Sequence, residues 1–348
     1  SAPAAGAAVE AVPADGSGDF SGVADSSGRY TFPALPAGEY ELRVTWGEYP
    51  AYSASLTVQA GDQLTRTVSL RDGQLCGPSL YWQMENGTLT IYGQGEMYDY
   101  NGMYDSPPWY DSRRDITRIV IEPGATTIGS GAFKFTNVAS VSLPDTLETI
   151  GSAAFYDCRD LTSISIPGSV KSIGNQAFLD CWYLETVTLS DGLVTIGDSV
   201  FNNCRALTGI TIPSSVETIG ANAFYDCWDL EHAELSYGLV SIGNSAFENC
   251  SSLKAIHIPD SVTSVGRLAF KSCPSLAEAT LSSQLTVIPY SMFHNDHELT
   301  SITLPAGLTE IDGRAFSSAG LTSLVIPDGV TRIGEEAFYN CNLTSVHI

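Results

Sequence analysis

A single phenylalanine recurs through most of this chain at a nearly constant spacing, and that spacing limits the folds open to it. The residue closes a phrase of the form IGxxAF, and successive copies lie 22 or 23 residues apart. The copies are Phe133, Phe155, Phe178, Phe201, Phe224, Phe247, Phe270, Phe293, Phe316 and Phe338. A period of this length is typical of a solenoid, in which each repeat forms one coil and is stable only when stacked on its neighbours.

Each repeat reads as two short extended segments followed by a compact turn. In the unit from 161 to 183, apolar residues alternate with small polar ones, as in strands with one buried face. The apolar residues are Leu161, Ile164, Ile166, Val170 and Ile173. Gly174 suits a left-handed or tightly packed position. Ala177 and Phe178 begin the turn, which we expect to be helical.

The repeated phrase LxxIxIPxxVxxIGxxAFxxC resembles the BspA-like leucine-rich repeats of bacterial surface proteins. It stands intact at 161–181 and 207–227, and at 253–273 with Val265 replacing the last Ile. The resemblance covers about residues 116–348. It implies a mainly β fold, a leucine-rich-repeat solenoid of about ten coils with a parallel sheet on its concave side. It also implies export and display on a bacterial cell surface.

Residues 74–115 break the period and predict a β-hairpin that caps the first coil. Leu80, Trp82 and Met84 alternate inward, and Asn86-Gly87 forms the turn. The segment resembles the leader module of BspA-like proteins in its CG, GTLTI and PW motifs. Its clustered aromatic residues serve either as a cap or as a binding patch, and they are Tyr98, Tyr100, Tyr104, Trp109 and Tyr110.

Residues 1–73 predict a small antiparallel β-sandwich, because apolar and polar residues alternate there after an Ala/Pro/Gly-rich start. The phrase from Asp25 to Tyr40 resembles the carboxypeptidase-regulatory-like and collagen-adhesin-B-like modules, which commonly act as stalks. No first strand is obvious, so we expect a truncated sandwich. The predicted division is therefore 1–73, 74–115 and 116–348.

Seven of the eight cysteines lie three residues after a repeat phenylalanine and so form a ladder along the solenoid. They are Cys158, Cys181, Cys204, Cys227, Cys250, Cys273 and Cys341. Neighbouring rungs are close enough for a disulfide, but their side chains point the same way from parallel coils, which favours buried thiols. Disulfides, metal ligation and nucleophilic roles remain alternatives. The sequence does not decide whether the remaining Cys76 is free or bridged.

The charge balance restricts the partners. With 16 basic and 39 acidic residues the formal net charge is -23, which disfavours a nucleic-acid partner. No apolar run is long enough to span a membrane.

The strongest candidate site follows the cysteine ladder. The residue after each cysteine alternates between arginine and tryptophan in four consecutive coils: Arg159, Trp182, Arg205 and Trp228. Stacked one coil apart, these side chains predict a cation–π ladder, with Tyr183 and Tyr225 close by. Such a strip suits a sugar or a protein partner. The alternative is structural packing inherited through duplication of a coil pair.

A second candidate lies on the concave sheet, whose outer face is otherwise Ser, Thr, Gly and Ala. The polar residues that interrupt it are His232, Glu234, His257 and Glu278. Glu234 and His257 share one ladder position, so we expect them to be cross-strand neighbours and an exposed ion pair.

Catalysis has little support in the sequence. His294 and His297 beside Asp296 resemble a metal site weakly, without the HExxH order or a third ligand. No cofactor motif is present. We therefore predict a non-enzymatic, extracellular adhesion protein that binds a protein or glycan of a host or neighbouring cell. The alternatives are a surface spacer and, less favoured, a metal-dependent enzyme. The open edge of the last coil also predicts self-association.

Overall fold

The computed structural model describes residues 7–16, 18, 20–26, 29–32, 35–46, 49–59, 74–101 and 105–348. Tyr104 of the predicted cap and residues 60–73 of the predicted sandwich therefore lie outside the described residues. The chain forms two compact units, one of Ser1–Leu75 with Tyr81–Gln83 and one of Cys76–Leu80 with Met84–Ile348. The predicted boundaries after residues 73 and 115 stay a prediction.

The first unit contains a four-stranded antiparallel sheet. In sheet order its strands are Phe20–Val23, Ala8–Pro13, Gly38–Trp46 and Tyr49–Val58. One face buries small and branched side chains, among them Val9, Leu42 and Val44. The sequence did not predict Ala8–Pro13, the second strand in this order, because alanine and proline disfavour strands. This segment is held in the sheet by pairing with a strand on each side.

The predicted cap hairpin is present at the start of the second unit. Strands Leu80–Glu85 and Thr88–Gly93 flank a two-residue turn in which Asn86 and Gly87 both have positive φ, 48° and 75°. The second strand pairs in parallel with Arg118–Ile121, the first strand of the first coil. The hairpin thus supplies the backbone partners that a preceding coil would provide. A short strand, Gln74–Leu75, precedes it.

Two sets of parallel strands run through the coils; the coil around residues 300–304 has no strand of the first set. The first strands are Arg118–Ile121, Ser140–Ser142, Ser163–Ile166, Thr186–Leu189, Gly209–Ile212, His232–Leu235, Ala255–His257, Glu278–Thr280, Ser323–Val325 and Ser345–His347. The second strands are Thr127–Ile128, Thr149–Ile150, Ser172–Ile173, Thr195–Ile196, Thr218–Ile219, Ser241–Ile242, Ser264–Val265, Val287–Ile288, Glu310–Ile311 and Arg332–Ile333. The predicted mainly β solenoid of stacked coils is confirmed.

The repeat phenylalanines form one continuous stack through the core. Adjacent ring centroids lie between 5.0 and 5.8 Å apart, and from Phe155 onward the rings are nearly parallel. Trp109 extends the stack by one step into the cap, with its ring 5.5 Å from Phe133 and its Nε1 donating to the Ala132 carbonyl at 2.8 Å. Trp109 therefore acts as a core residue of the cap rather than as part of a surface patch.

The turn around each phenylalanine is tight but not helical. Residues two before and two after the ring have positive φ, for example Gln176 at 61° and Asp180 at 63° around Phe178. Two left-handed residues in one turn are incompatible with an α-helix. The described residues contain only one helical segment, the 3-10 helix Tyr110–Asp115.

Gly174 has the tight environment that the sequence predicts, but it is not left-handed. A Cβ at this position would lie 2.6 Å from the Ser152 nitrogen, so the close approach of adjacent coils excludes a side chain. The left-handed positions belong instead to residues such as Asp180 and Asn203, since aspartate and asparagine tolerate that conformation better than most residues.

The cysteine ladder consists of free thiols. All eight cysteines are unpaired, Cys76 included, and all but the half-buried Cys341 are buried. Each ladder thiol donates to the carbonyl of the phenylalanine one coil earlier; Cys227 Sγ, for example, lies 3.2 Å from the Phe201 oxygen. Burial raises the pKa of Cys158 to about 12. The ladder is therefore structural, and its thiols are held in the unreactive protonated form.

We expect alkylation of the native protein to modify Cys341 first. It is the least buried thiol, and although burial raises its pKa, it remains the most accessible. Peptide mapping by mass spectrometry after brief iodoacetamide treatment would show this order, with complete labelling after unfolding as the control. Rapid modification of Cys227 in the native state would contradict the buried ladder.

One rung of the ladder carries a carboxyl group. Asp296 replaces the cysteine after Phe293 and is fully buried. Its Oδ1 accepts a hydrogen bond from the Cys273 nitrogen at 2.8 Å, and its Oδ2 has no partner among the described residues. Burial raises the pKa of Asp296 well above its ordinary value of 3.8, and the nearby Cys273 thiol adds to this effect.

We predict that Asp296→Asn stabilises the protein at neutral pH. The native carboxyl keeps its proton above pH 4 while the unfolded one loses it, so stability falls as pH rises from about 4. Asparagine keeps the acceptor for Cys273 N–H and removes the cost of holding a proton on the native carboxyl, which grows by about 1.4 kcal/mol per pH unit above the unfolded pKa. Urea unfolding at pH 4 and pH 7 would measure the change.

The exposed neighbour Glu298, changed to Gln, serves as the control for that experiment. We expect Glu298→Gln to leave the pH dependence of stability unchanged. If the stability of Asp296→Asn depended on pH as strongly as that of the parent chain, the buried carboxyl would not be the cause of this pH dependence.

Candidate functional site

The predicted cation–π ladder is present on the surface beside the cysteine rungs. The Arg159 guanidinium lies 3.9 Å from the centre of the Trp182 ring. Arg205 lies between two indoles, 4.6 Å from Trp182 and 4.2 Å from Trp228. We refer to these four residues, Arg159, Trp182, Arg205 and Trp228, as the Arg–Trp strip.

The local fold explains why these side chains align. Each strip residue comes directly after a buried cysteine, and the ladder fixes that cysteine in the same register in every coil. The left-handed residue two positions earlier orients the arginines. Arg159 Nε donates to Asp157 at 2.6 Å, and Arg205 Nε donates to Asn203 at 2.7 Å.

Those side-chain acceptors are themselves linked from coil to coil. Asn203 Nδ2 donates to Asp180 Oδ1 at 2.6 Å, and Asn249 Nδ2 donates to Asp226 Oδ1 at 2.8 Å. Trp182 Nε1 also approaches Asp180 at 3.4 Å. Polar side chains thus link neighbouring coils beneath the strip, and the Asp or Asn that stands two residues after seven of the ten repeat phenylalanines indicates this in the sequence.

The central arginine keeps its outer edge free for a ligand. Arg205 uses only its Nε, and its two terminal nitrogens have no acceptor among the described residues. Its guanidinium carbon lies 4.6 and 4.2 Å from the centres of two indole rings, one in each neighbouring coil. An arginine held in this way presents two preorganised N–H donors, which suit a carboxylate, a sulfate or a pair of hydroxyls.

Cavities lie at both ends of the strip. One of about 490 Å³ includes Arg159 in its lining. Another of about 430 Å³ is lined by Trp228 and by the next residues in the same column, Ser251, Pro274 and His297. A surface of stacked planar groups that is bounded by two depressions can bind an extended ligand in several places.

The two tyrosines predicted to flank the strip differ in exposure. Tyr183 is 59% exposed and extends the aromatic surface next to Trp182. Tyr225 is half-buried, and burial together with the neighbouring carboxylates Asp226 and Glu248 raises its pKa. Only Tyr183 therefore offers a whole ring face to a partner.

The alternative polar patch is spread over the sheet of first strands. Glu234 accepts a hydrogen bond from Thr211 at 3.1 Å, and it forms no ion pair with His257 among the described residues. The expected exposed pair is therefore wrong, because the threonine on the other neighbouring strand provides a closer partner. His232 lies 3.8 Å from Glu231, and Glu278 is exposed. A depression of about 270 Å³ forms where Gly209 lacks a side chain.

The two histidines of the weak metal-site resemblance do not converge. His297 Nδ1 lies 2.9 Å from the Ser318 carbonyl oxygen. His294 Nδ1 is buried without a partner among the described residues, and burial lowers its pKa. In the described part of the chain, no three His, Cys, Asp or Glu side chains cluster as metal ligands.

Sequence comparison agrees with the coil pattern. Residues 109–231 and 217–344 match the model of the BspA type leucine rich repeat region, in 6 copies. The chain belongs to the BspA-type leucine-rich repeat family. Residues 1–71 match the carboxypeptidase regulatory-like domain. No match was found among curated protein sequences.

Solved structures of bacterial proteins share this fold. A leucine-rich repeat protein from Bacteroides ovatus has a TM-score of 0.53 at 22% identity, covering 79% of this chain and 88% of its own. The pneumococcal vaccine antigen PcpA has a TM-score of 0.51 at 20% identity, covering 78% of this chain and 80% of its own. A leucine rich cell surface protein from Faecalibacterium prausnitzii is 26% identical over 83% of this chain and 96% of its own, with a TM-score of 0.41.

Members of the BspA-like family are bacterial surface proteins, and leucine-rich repeat proteins are typically binding proteins without catalytic activity. Among the described residues, none of the helical segments has the length and apolar character needed to cross a membrane.

We predict that Arg205→Ala lowers the free energy of unfolding by about 1 kcal/mol, since it removes two cation–π contacts at a partly exposed site. It should also shift tryptophan emission, because Trp182 and Trp228 both lose the guanidinium. Chemical unfolding followed by fluorescence measures both effects.

The matched control is Arg332→Ala, which removes an exposed arginine that contacts only the carboxylates Glu310 and Asp312. We expect that variant to leave the emission unchanged and stability nearly so. Equal behaviour of the two variants would show that the indole contacts contribute nothing.

Proposed function

We propose that this chain is a non-enzymatic, extracellular adhesion protein of a bacterial surface that binds its partner through the Arg–Trp strip. The observation that carries the proposal is Arg205, whose guanidinium lies between two indoles and donates from Nε to Asn203, while its terminal nitrogens have no acceptor in the described part of the chain. The cation–π contacts hold the guanidinium in place. Terminal donors without acceptors add nothing to the stability of a spacer, whereas a recognition surface uses such donors to bind its partner.

Exposure along the strip supports the same interpretation. Trp228 is 42% exposed and Tyr183 59%, so large aromatic surfaces face solvent beside the arginines. Aromatic residues and arginine are the residue types that most often dominate binding energy at protein surfaces. The partner is a protein or a glycan of a host or neighbouring cell.

A surface spacer is the second candidate function. The outer face of the first-strand sheet is largely Ser, Thr and Gly, and residues 1–71 match a regulatory-like domain. Self-association stays a prediction; it is motivated by the exposed apolar residues of the last coils, Val325, Ile333 and Val346.

The test is a binding screen against glycans and extracellular-matrix proteins with the parent chain and the Trp182→Ala/Trp228→Ala double variant. We expect saturable binding that the double variant loses, since both indole faces are removed. Tyr237→Ala, which removes an aromatic ring that is 74% exposed outside the strip, is the control and should bind normally. Circular dichroism checks that each variant is folded.

Other outcomes redirect the proposal. Binding that survives in the double variant would contradict the strip and favour the sheet residues His232, Glu234, His257 and Glu278. Absence of binding by every protein in the screen would favour the spacer.

A further inference from the structure

A cavity of about 490 Å³ lies where the 3-10 helix Tyr110–Asp115 meets the first two coils. Its volume falls within the range of small-ligand sites. The helix contributes Tyr110, Arg113 and Arg114, and the coils contribute Phe135, Asp157 and Arg159. It forms because the cap takes the place of a preceding coil without reproducing that coil's outer turn.

The lining of this cavity is positive in a chain that is strongly negative. Three of the 16 basic residues of the sequence line it, against one carboxylate, and the formal net charge of the whole chain is -23. That carboxylate, Asp157, already accepts a hydrogen bond from Arg159 at 2.6 Å. Because physiological salt screens charges beyond about 8 Å, these neighbouring arginines decide which ions bind here.

Arg113 is fixed in place but not fully satisfied. Its guanidinium lies 4.0 Å from the centre of the Tyr110 ring, and Nη1 donates to the Tyr110 carbonyl at 2.7 Å. Its Nε is buried and has no acceptor among the described residues. Because Nε is buried, the donor that Arg113 offers to a ligand is Nη2, which has no acceptor among the described residues.

The other arginines complete the set of donors. The Arg114 side chain is exposed and has no acceptor among the described residues, while its carbonyl accepts from Asn137 Nδ2 at 3.1 Å, which ties the helix to the first coil. Arg159 uses Nε for Asp157 and stacks on Trp182 at 3.9 Å, leaving its terminal nitrogens without acceptors.

We propose that this cavity binds the carboxylate or sulfate group of an acidic glycan whose chain continues along the Arg–Trp strip. Guanidinium groups provide the paired donors that such oxyanions accept. Phe135, 37% exposed, and Tyr110 provide ring surface for the apolar face of a sugar. Arg159 belongs both to the cavity and to the strip, so the inference rests on the proposed function of the strip.

The chemistry of the strip favours a sugar chain over a peptide. Indole rings and guanidinium groups alternate along it at 3.9 to 4.6 Å, which places ring faces beside N–H donors. Ring faces suit the apolar face of a sugar, and the adjacent donors suit its hydroxyl and acidic groups. A helical peptide has a pitch of about 5.4 Å but is usually recognised by an apolar groove, whereas arginine and carboxylate side chains line this surface.

The experiment is calorimetric titration of the whole chain with an oligogalacturonate, its methyl ester, a sulfated heparin-derived oligosaccharide and a glutamate-rich peptide. The variants are Arg113→Gln, Arg114→Gln and the Trp182→Ala/Trp228→Ala double variant. Arg332→Gln, which removes the same charge from a distant exposed site, is the control. Because the Arg114 side chain is exposed, we expect Arg114→Gln to fold even if Arg113→Gln destabilises the helix.

We expect an acidic oligosaccharide to bind, and its affinity to fall about tenfold or more in either cavity variant but not in the control. Esterification and added salt should weaken binding in the same way. Preference between the uronate and the heparin-derived probe identifies carboxylate or sulfate as the group bound.

Equal binding of the acid and its ester, lost only in the tryptophan variant, would overturn this inference and leave the proposed function intact. Binding of the glutamate-rich peptide alone would overturn the assignment to glycans. Unchanged affinity of Arg114→Gln and Arg113→Gln for the acidic probe would exclude the cavity. If no probe binds to any protein, the inference fails and the binding screen on the strip decides the proposed function separately.

Discussion

Contact between successive coils is the interaction on which this structure depends. A single coil has two strands of two to four residues and one phenylalanine, which cannot form a core alone. Stacking gives every ring two neighbours at 5.0 to 5.8 Å. It also gives the turn its main-chain partners, since the nitrogen of Phe178, for example, donates to the Val200 carbonyl of the next coil at 2.9 Å. The nearly constant repeat length of 22 or 23 residues follows, because each coil must bring its phenylalanine and its strands into line with those of its neighbours.

Much of the fold could be predicted because the features that determine it are periodic. The phenylalanine spacing and the alternation in residues such as Ile164 and Ile166 identify the coil and its buried face without any long-range information. Ala8–Pro13 could not be found in this way, because its strand character comes from pairing and not from its own residues. The left-handed turns were not predicted either, since the sequence indicated Gly174 as a left-handed residue, whereas Asp180 adopts the positive φ.

The candidate site could be predicted in part for the same reason. One register places Arg159, Trp182, Arg205 and Trp228 in a column, and their stacking follows from that. The predicted ion pair between Glu234 and His257 was wrong. A shared register position brings two strands together, but it does not determine which neighbouring side chain forms the contact, and Glu234 bonds to Thr211. The cavity at Arg113 had no periodic signal at all. It arises where the regular array meets an irregular cap.

The thiol ladder makes sensitivity to oxidation a property of the folding chain rather than of the folded protein. In the native state burial raises the pKa of Cys76 and Cys158 to about 12, so almost no thiolate forms. An unfolded cysteine has a pKa near 8.5 and is open to attack. In any oxidising compartment, this chain must therefore stack its coils faster than its eight thiols pair at random. Each added coil that carries a ladder cysteine then removes one more reactive group, so the order of stacking is also the order in which the chain becomes inert to oxidants.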